Sequence, residues 1–204
     1  MRNFLIGLML TVAGIGALMF IPSKQAPAPM PWETMIMADG NTQVFDIHLG
    51  KTTFRQAQSI FKVYGKTAIF SQSEHEPTIE AYFESVNLGG LSAKIVLNLI
   101  VTGQPIKAML DRAHDARLQP SGARRYELHS DDHARLLDSP IIAITYIPTV
   151  RLDEKMILDR FGKADNIQQP AQQANNSIWH YPRIGLSVTF NLEEKTVLQY
   201  KVQD

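Results

Sequence analysis

The sequence predicts an α+β protein in which an N-terminal transmembrane helix is followed by two tandem repeats of a helix packed on an antiparallel sheet. Three observations support this prediction: an uncharged apolar segment near the N-terminus, a proline-rich stretch after it, and two later segments that share an order of motifs. The chain has 204 residues, of which 45% are hydrophobic and 20% charged. This composition is typical of a folded protein.

Composition and charge exclude several classes of protein. The chain has no cysteine, which excludes disulfide scaffolds and cysteine-ligated zinc or iron–sulfur sites. Its 20 Lys+Arg balance its 20 Asp+Glu, whereas nucleic-acid binding depends on a clustered cationic surface. We therefore expect no nucleic-acid partner.

The apolar segment at the N-terminus begins at Phe4, ends at Ile21 and carries no charge. As a helix it would span about 27 Å, close to the roughly 30 Å hydrocarbon core of a membrane. We expect an uncleaved signal anchor, with a cleaved signal peptide and a buried soluble helix as the alternatives. The expected location is the bacterial inner membrane, crossed once, with the soluble domain in the periplasm.

A stiff linker is predicted after the anchor because residues 23–31 (SKQAPAPMP) are rich in proline. The predicted organisation is therefore an anchor over residues 1–22, a linker over 23–40, a first repeat over 41–120 and a second repeat over 121–204.

Two amphipathic helices with similar endings define the repeat. Residues 50–67 and 151–165 each place apolar side chains at helical spacing before an aromatic residue and a Gly-Lys pair. Gly65 and Gly162 are predicted to be the C-caps of these helices. Each helix is followed by a polar turn, an aromatic strand and a Gly-Leu-Ser sequence before an apolar strand.

The residues between and after these motifs predict further short elements. Helices are predicted at 105–116 and 131–138, the second with Asp131 as its N-cap. Strands are predicted at 124–129, at 141–147 between two prolines, and at 196–202.

The second repeat resembles a known module. The residues that carry the resemblance are Leu152, Ile157, Phe161, Gly162, Lys163, Trp179, Tyr181, Gly185 and Leu186. On these residues, the chain over 150–204, and more faintly over 47–101, resembles the SmpA/OmlA (BamE) lipoproteins and the β-lactamase-inhibitor-protein-like fold. The resemblance implies a non-enzymatic scaffold that binds other envelope proteins. The chain departs from the lipoprotein pattern because it has no cysteine to carry a lipid.

We expect a non-catalytic, membrane-tethered adaptor of the cell envelope whose partner is another envelope protein, with no cofactor. The predicted contact surface consists of Tyr82, Phe83, Trp179 and Tyr181, because aromatic side chains dominate interface energetics. Packing in the core is the alternative use for about half of them.

Three residues are candidates for chemistry: Glu127, His129 and His133. Two histidines four positions apart on one helix face, with a carboxylate, could bind zinc or act as the acid–base groups of an envelope hydrolase. Because His129 is predicted to end a strand, we favour a capped helix start and expect no metal. A hydrolase and a proteinaceous enzyme inhibitor stay as alternative functions.

Overall fold

The computed structural model describes residues 28–72, 75–101, 106–120, 122–170, 176–191 and 193–203, together with positions 7, 11 and 16. From residue 28 onward, the described residues form four short α-helices and thirteen strands. The helices are α1 (Phe54–Phe61), α2 (Ile106–Arg112), α3 (Ser130–Leu136) and α4 (Glu154–Phe161). The strands are β1 (Thr34–Ile36), β2 (Thr42–Val44), β3 (Ile47–His48), β4 (Lys66–Gln72), β5 (His75–Leu88), β6 (Leu91–Leu99), β7 (His114–Leu118), β8 (Arg124–Glu127), β9 (Ile141–Pro148), β10 (Asn166–Gln168), β11 (Asn176–Tyr181), β12 (Leu186–Asn191) and β13 (Val197–Lys201).

Ten of these strands form one antiparallel sheet in the order β10-β11-β12-β13-β9-β6-β5-β4-β8-β7, and β1, β2 and β3 form a small second sheet. In the chain, β4, β5 and β6 follow α1, while β10, β11 and β12 follow α4. These two sets of strands lie on opposite sides of the central pair β9 and β13. The two halves of the chain therefore share one sheet.

The core lies on one face of the ten-stranded sheet because side chains alternate between the two faces of a strand. All four helices pack on this face, since Phe54, Met109, Leu136 and Ile157 belong to the same cluster of buried residues. The small sheet packs there as well, with the ring of Phe45 5.2 Å from that of Tyr146. We call the opposite face of the ten-stranded sheet the open face; it carries residues such as Tyr82, Val96, Thr145, Thr189 and Gln199.

The predicted fold class is wrong. Strand is the most common secondary structure of the described residues, and ten of the strands join into one continuous sheet instead of two separate repeats of helix on sheet. The physical reason is that β6 pairs with β9 and β9 pairs with β13, which connects the two halves through backbone hydrogen bonds. The predicted boundary between residues 120 and 121 falls between β7 and β8, which also pair with each other.

The structure does not support the predicted transmembrane anchor. The predicted single-pass location in the inner membrane and the periplasmic placement of the rest of the chain depended on this anchor, so they are not supported either. No helix among the described residues is long and apolar enough to cross a membrane. The helices described after residue 28 have seven or eight residues, against the roughly 20 that a span requires. The predicted anchor itself, residues 4–21, lies outside the described residues apart from Gly7, Thr11 and Gly16.

The end of the predicted linker is packed against the domain. The carbonyl oxygen of Pro31 accepts a hydrogen bond from the buried hydroxyl of Tyr200. The guanidinium carbon of Arg160 lies 4.5 Å from the centre of the Trp32 ring. Residues 34–36 then form strand β1, so residues 31–36 contribute to the fold.

The two predicted glycine caps have different outcomes. Gly162 caps α4 as predicted, with a φ of 77° and its N–H donating to the carbonyl of Leu158. In α1, however, the left-handed cap is Lys62, with a φ of 55°. Gly65 is instead required by close packing, since a Cβ there would lie 2.8 Å from Phe83 Cζ.

Candidate functional site

Three of the four predicted contact residues are buried in the core: Phe83, Trp179 and Tyr181, at 1%, 9% and 4% exposure. The Phe83 ring makes edge-to-face contacts with the rings of Phe54 and Phe61 on α1. The ring of Trp179 packs on Phe190, and the Tyr181 hydroxyl donates to the carbonyl of Gly162 at 3.0 Å. Packing therefore accounts for these three residues.

Tyr82 differs because it alternates with Phe83 along β5 and so lies on the open face. It lines a cavity of about 470 Å³ formed by β4, β5, β6, β7 and β8. We call this the arginine cavity; its polar and aromatic lining residues are Lys66, Phe70, Glu80, Tyr82, Arg117, Gln119 and Arg125. Its volume lies within the range of about 300–1,000 Å³ that is usual for ligand pockets.

Two arginines face each other in this cavity. Arg117 on β7 and Arg125 on β8 are direct partners in the strand register, so both side chains lie on the same face. Arg125 Nη1 lies 3.6 Å from a carboxylate oxygen of Glu127, and Lys66 Nζ lies 3.4 Å from one of Glu84. Arg117 forms no ion pair with any residue that the structure describes. The cavity therefore has a cationic wall that is only partly neutralised.

Glu80 is the acidic group inside the arginine cavity. Burial raises the pKa of its carboxyl above the ordinary value, and a hydrogen bond with the Asn98 side chain acts in the opposite direction. A half-buried carboxyl group with a raised pKa in a cavity is the kind of group found at functional sites.

Glu127, His129 and His133 do not form one site in the structure. The ring of His129, not the carboxylate of Asp131, caps α3, and it accepts a hydrogen bond from the Asp131 N–H at 3.4 Å. His133 Nδ1 lies 2.8 Å from the Thr67 hydroxyl. Glu127 and His133 do line one cavity of about 460 Å³, whose lining does not include His129.

A different set of potential metal ligands lies at the β7 edge. One ligand atom from each of His114, Asp115 and Glu127 comes within 4.8 Å of the others. A β-bulge between His114 and Arg117 turns consecutive side chains toward one place, and Asp115 has a φ of 53°. The set could hold a divalent cation, although Arg125 competes with a cation for Glu127.

The sequence could indicate only part of the arginine cavity. Alternation along β8 places Arg125 and Glu127 on one face, and this could be read from the sequence alone. The position of Arg117 could not, because residues 105–116 were predicted to form one helix that ends just before it. In the structure α2 ends at Arg112 and a strand begins at His114.

Comparison with known proteins finds no matching family model, curated protein or solved structure.

Proposed function

We propose that this chain is a non-catalytic protein-binding module that contacts a partner protein through the open face of its ten-stranded sheet. The observation that carries the proposal is the asymmetry of the sheet: all four described helices pack on one face, and the other bears the arginine cavity. Antiparallel sheets with one open face are common, so the composition of that face matters.

The centre of the open face has few charges. Its three central strands carry Val96, Thr145 and Gln199 there, and the last two side chains are joined by a 3.3 Å hydrogen bond. Charged side chains stand toward the ends of these strands, at Lys94 and Lys201. A weakly charged centre with charged side chains around it is the usual composition of a protein interface.

The size of the open face also suits a protein partner. Ten strands about 4.8 Å apart, with about seven residues each at about 3.4 Å per residue, cover on the order of 1,000 Å². A stable protein–protein interface buries about 800 Å² on each partner.

The two alternative functions are less well supported. The hydrolase alternative needs Glu127, His129 and His133 to act together, but His129 bonds to its own helix and His133 to Thr67. Enzyme inhibition would be a special case of protein binding. The resemblance to the SmpA/OmlA (BamE) module stays a proposal, and the function proposed here does not depend on it.

Site-specific photo-crosslinking in cells tests the proposal. A photoreactive phenylalanine analogue is placed at Thr145 or Thr189 on the open face and, as controls, at Ser59 on α1 or Glu154 on α4. We expect both open-face positions to crosslink to the same protein and the helix positions to crosslink to none. The proposal fails if neither open-face position gives a crosslink or if the crosslinks come from the helix positions.

A further inference from the structure

We propose that the arginine cavity binds a carboxylate group of the partner protein, held between the guanidinium groups of Arg117 and Arg125. This inference rests on the proposed function and names the chemistry by which the partner is recognised. The ligand is an acidic side chain on an extended segment of the partner.

Two like charges lie directly opposite each other in the arginine cavity. Side chains directly opposite each other in an antiparallel pair have Cβ atoms about 4.5–5.5 Å apart, and like charges at such positions destabilise the sheet. An anion placed between Arg117 and Arg125 converts this repulsion into two attractive contacts. Carboxylates suit this position because guanidinium groups bind them through paired, charge-assisted hydrogen bonds.

The partners that the arginines have within the chain leave room for such an anion. Among the described residues, the one ion pair of Arg125 spans 3.6 Å, longer than the roughly 2.7–2.9 Å of a strong charge-assisted hydrogen bond. Arg117 is exposed and has no ion pair among the described residues. Both guanidinium groups therefore retain donors for a ligand.

The charges around the cavity favour a singly charged anion over phosphate. Two carboxylates, Glu84 and Glu127, already lie close to Lys66 and Arg125. A third, Glu80, lies inside the cavity. A doubly charged phosphate would meet more repulsion from these three carboxylates than a singly charged carboxylate would.

The surroundings of the cavity favour a protein segment as the source of the carboxylate. Ala68, Phe70, Tyr82 and Val96 provide apolar surface for the methylene groups of an acidic side chain. The adjacent β7 is the last strand of the sheet, and an extended segment can add to such an edge through backbone hydrogen bonds.

Fluorescence anisotropy with labelled heptapeptides tests the inference on the full chain. Three peptide libraries share randomised flanks and differ at the central residue, which is glutamate, glutamine or phosphoserine. We expect the glutamate library to bind tighter than the other two. Equal binding of the glutamate and glutamine libraries, or tighter binding of the phosphoserine library, would overturn the inference.

Substitutions identify the residues responsible. Arg117→Gln and Arg125→Gln should each weaken binding of the glutamate library by about tenfold or more, as expected for hydrogen bonds to a charged group. The matched control is Arg124→Gln, because Arg124 is next to Arg125 on β8 but faces the opposite side of the sheet. An equal loss with Arg124→Gln would show general charge attraction and contradict the site.

A second measurement needs no ligand and guards against misfolding of the variants. If the two arginines repel each other, Arg117→Gln should raise the midpoint of urea unfolding, and Arg124→Gln should raise it less. An unchanged or lower midpoint for Arg117→Gln would show that the two arginines do not repel each other.

Crosslinking from Thr145 and Thr189 that persists without peptide binding would overturn this inference and leave the proposed function intact.

Discussion

The buried carboxylate of Asp132 receives two hydrogen bonds from the guanidinium of Arg112, at 2.8 and 3.0 Å. This ion pair joins the last residue of α2 to the first turn of α3. The side chain of Asp132 is 1% exposed and that of Arg112 is 40% exposed. A buried carboxylate is strongly destabilised when a charged partner is removed.

We predict that Arg112→Met lowers the free energy of unfolding by about 2–3 kcal/mol. This loss is smaller than the loss expected when a fully buried ion pair is broken, because the Arg112 side chain is partly exposed to solvent. Urea unfolding at pH 7 measures the loss. The matched control is Arg55→Met, which removes a pair with Asp138 in which both side chains are more than half exposed. That control should cost much less, because water screens an exposed ion pair. Equal losses in the two variants would show that burial of Asp132 is not the cause.

Two tyrosines in the core should respond in opposite ways to loss of the hydroxyl group. The Tyr200 hydroxyl donates to the carbonyl of Pro31, whereas the buried Tyr146 hydroxyl has no partner among the described residues. We predict that Tyr200→Phe destabilises the fold by about 1–2 kcal/mol and that Tyr146→Phe stabilises it by about 1 kcal/mol. Thermal and urea unfolding of both variants check this. A loss of stability in Tyr146→Phe would mean that its hydroxyl has a favourable partner.

Gly65 is predicted to be intolerant of a side chain for reasons of packing. A Cβ at this position would lie 2.8 Å from Phe83 Cζ and 2.9 Å from Phe54 Cε2, closer than real contacts allow. Gly65→Ala should therefore cost about 1–3 kcal/mol. In a double-mutant cycle, Phe83→Leu should cost less in the Gly65→Ala background than in the wild type. Additive costs would indicate that the alanine acts elsewhere.

Glu80 should make stability depend on pH. Because burial raises the pKa of Glu80 in the folded state, the folded protein holds this proton at higher pH than the unfolded chain does. Stability contributed by the protonated form is then lost as pH rises from the unfolded pKa through the folded pKa. Glu80→Gln should be more stable than the wild type at pH 7.5, with a smaller difference at pH 4.

Urea midpoints at the two pH values measure this effect. The control is Glu84→Gln, which changes an exposed carboxylate on the same strand. Glu80→Gln should change the difference between the two pH values more than this control does. A wild-type protein that is more stable than Glu80→Gln at pH 7.5 would mean that Lys66, Arg117 or Arg125 stabilises the ionised carboxylate.

Much of the secondary structure could be predicted from the sequence because it depends on local patterns. The apolar spacing around residues 54–61 and 154–161 predicted α1 and α4, and both helices are observed. The strongly apolar run that became β9 and the alternating run that became β13 were also predicted correctly. The helix predicted over residues 105–116 was too long, because the chain leaves α2 after Arg112 to form β7.

The candidate site was harder to predict because it depends on which face each strand turns to the helices. Aromatic residues on strands were expected to form a contact surface. Whether each one is buried depends on the face of the sheet on which it lies: Phe83 faces α1, and Tyr82 lies on the open face. Trp179 and Tyr181, two residues apart, both point toward the core. No pattern in the sequence distinguishes the core face from the open face when both carry aromatic side chains.

By itself, the sequence determined the elements that follow from short-range physics. Amphipathic spacing set the helices near 54–61 and 154–161, Gly162 set the end of α4, and alternation set the longest strands. Only the tertiary structure decided that β6 pairs with β9, which joins ten strands into one sheet and places Arg117 opposite Arg125. The reason is that strand order and register depend on hydrogen bonds between residues far apart in the chain, which local patterns do not specify.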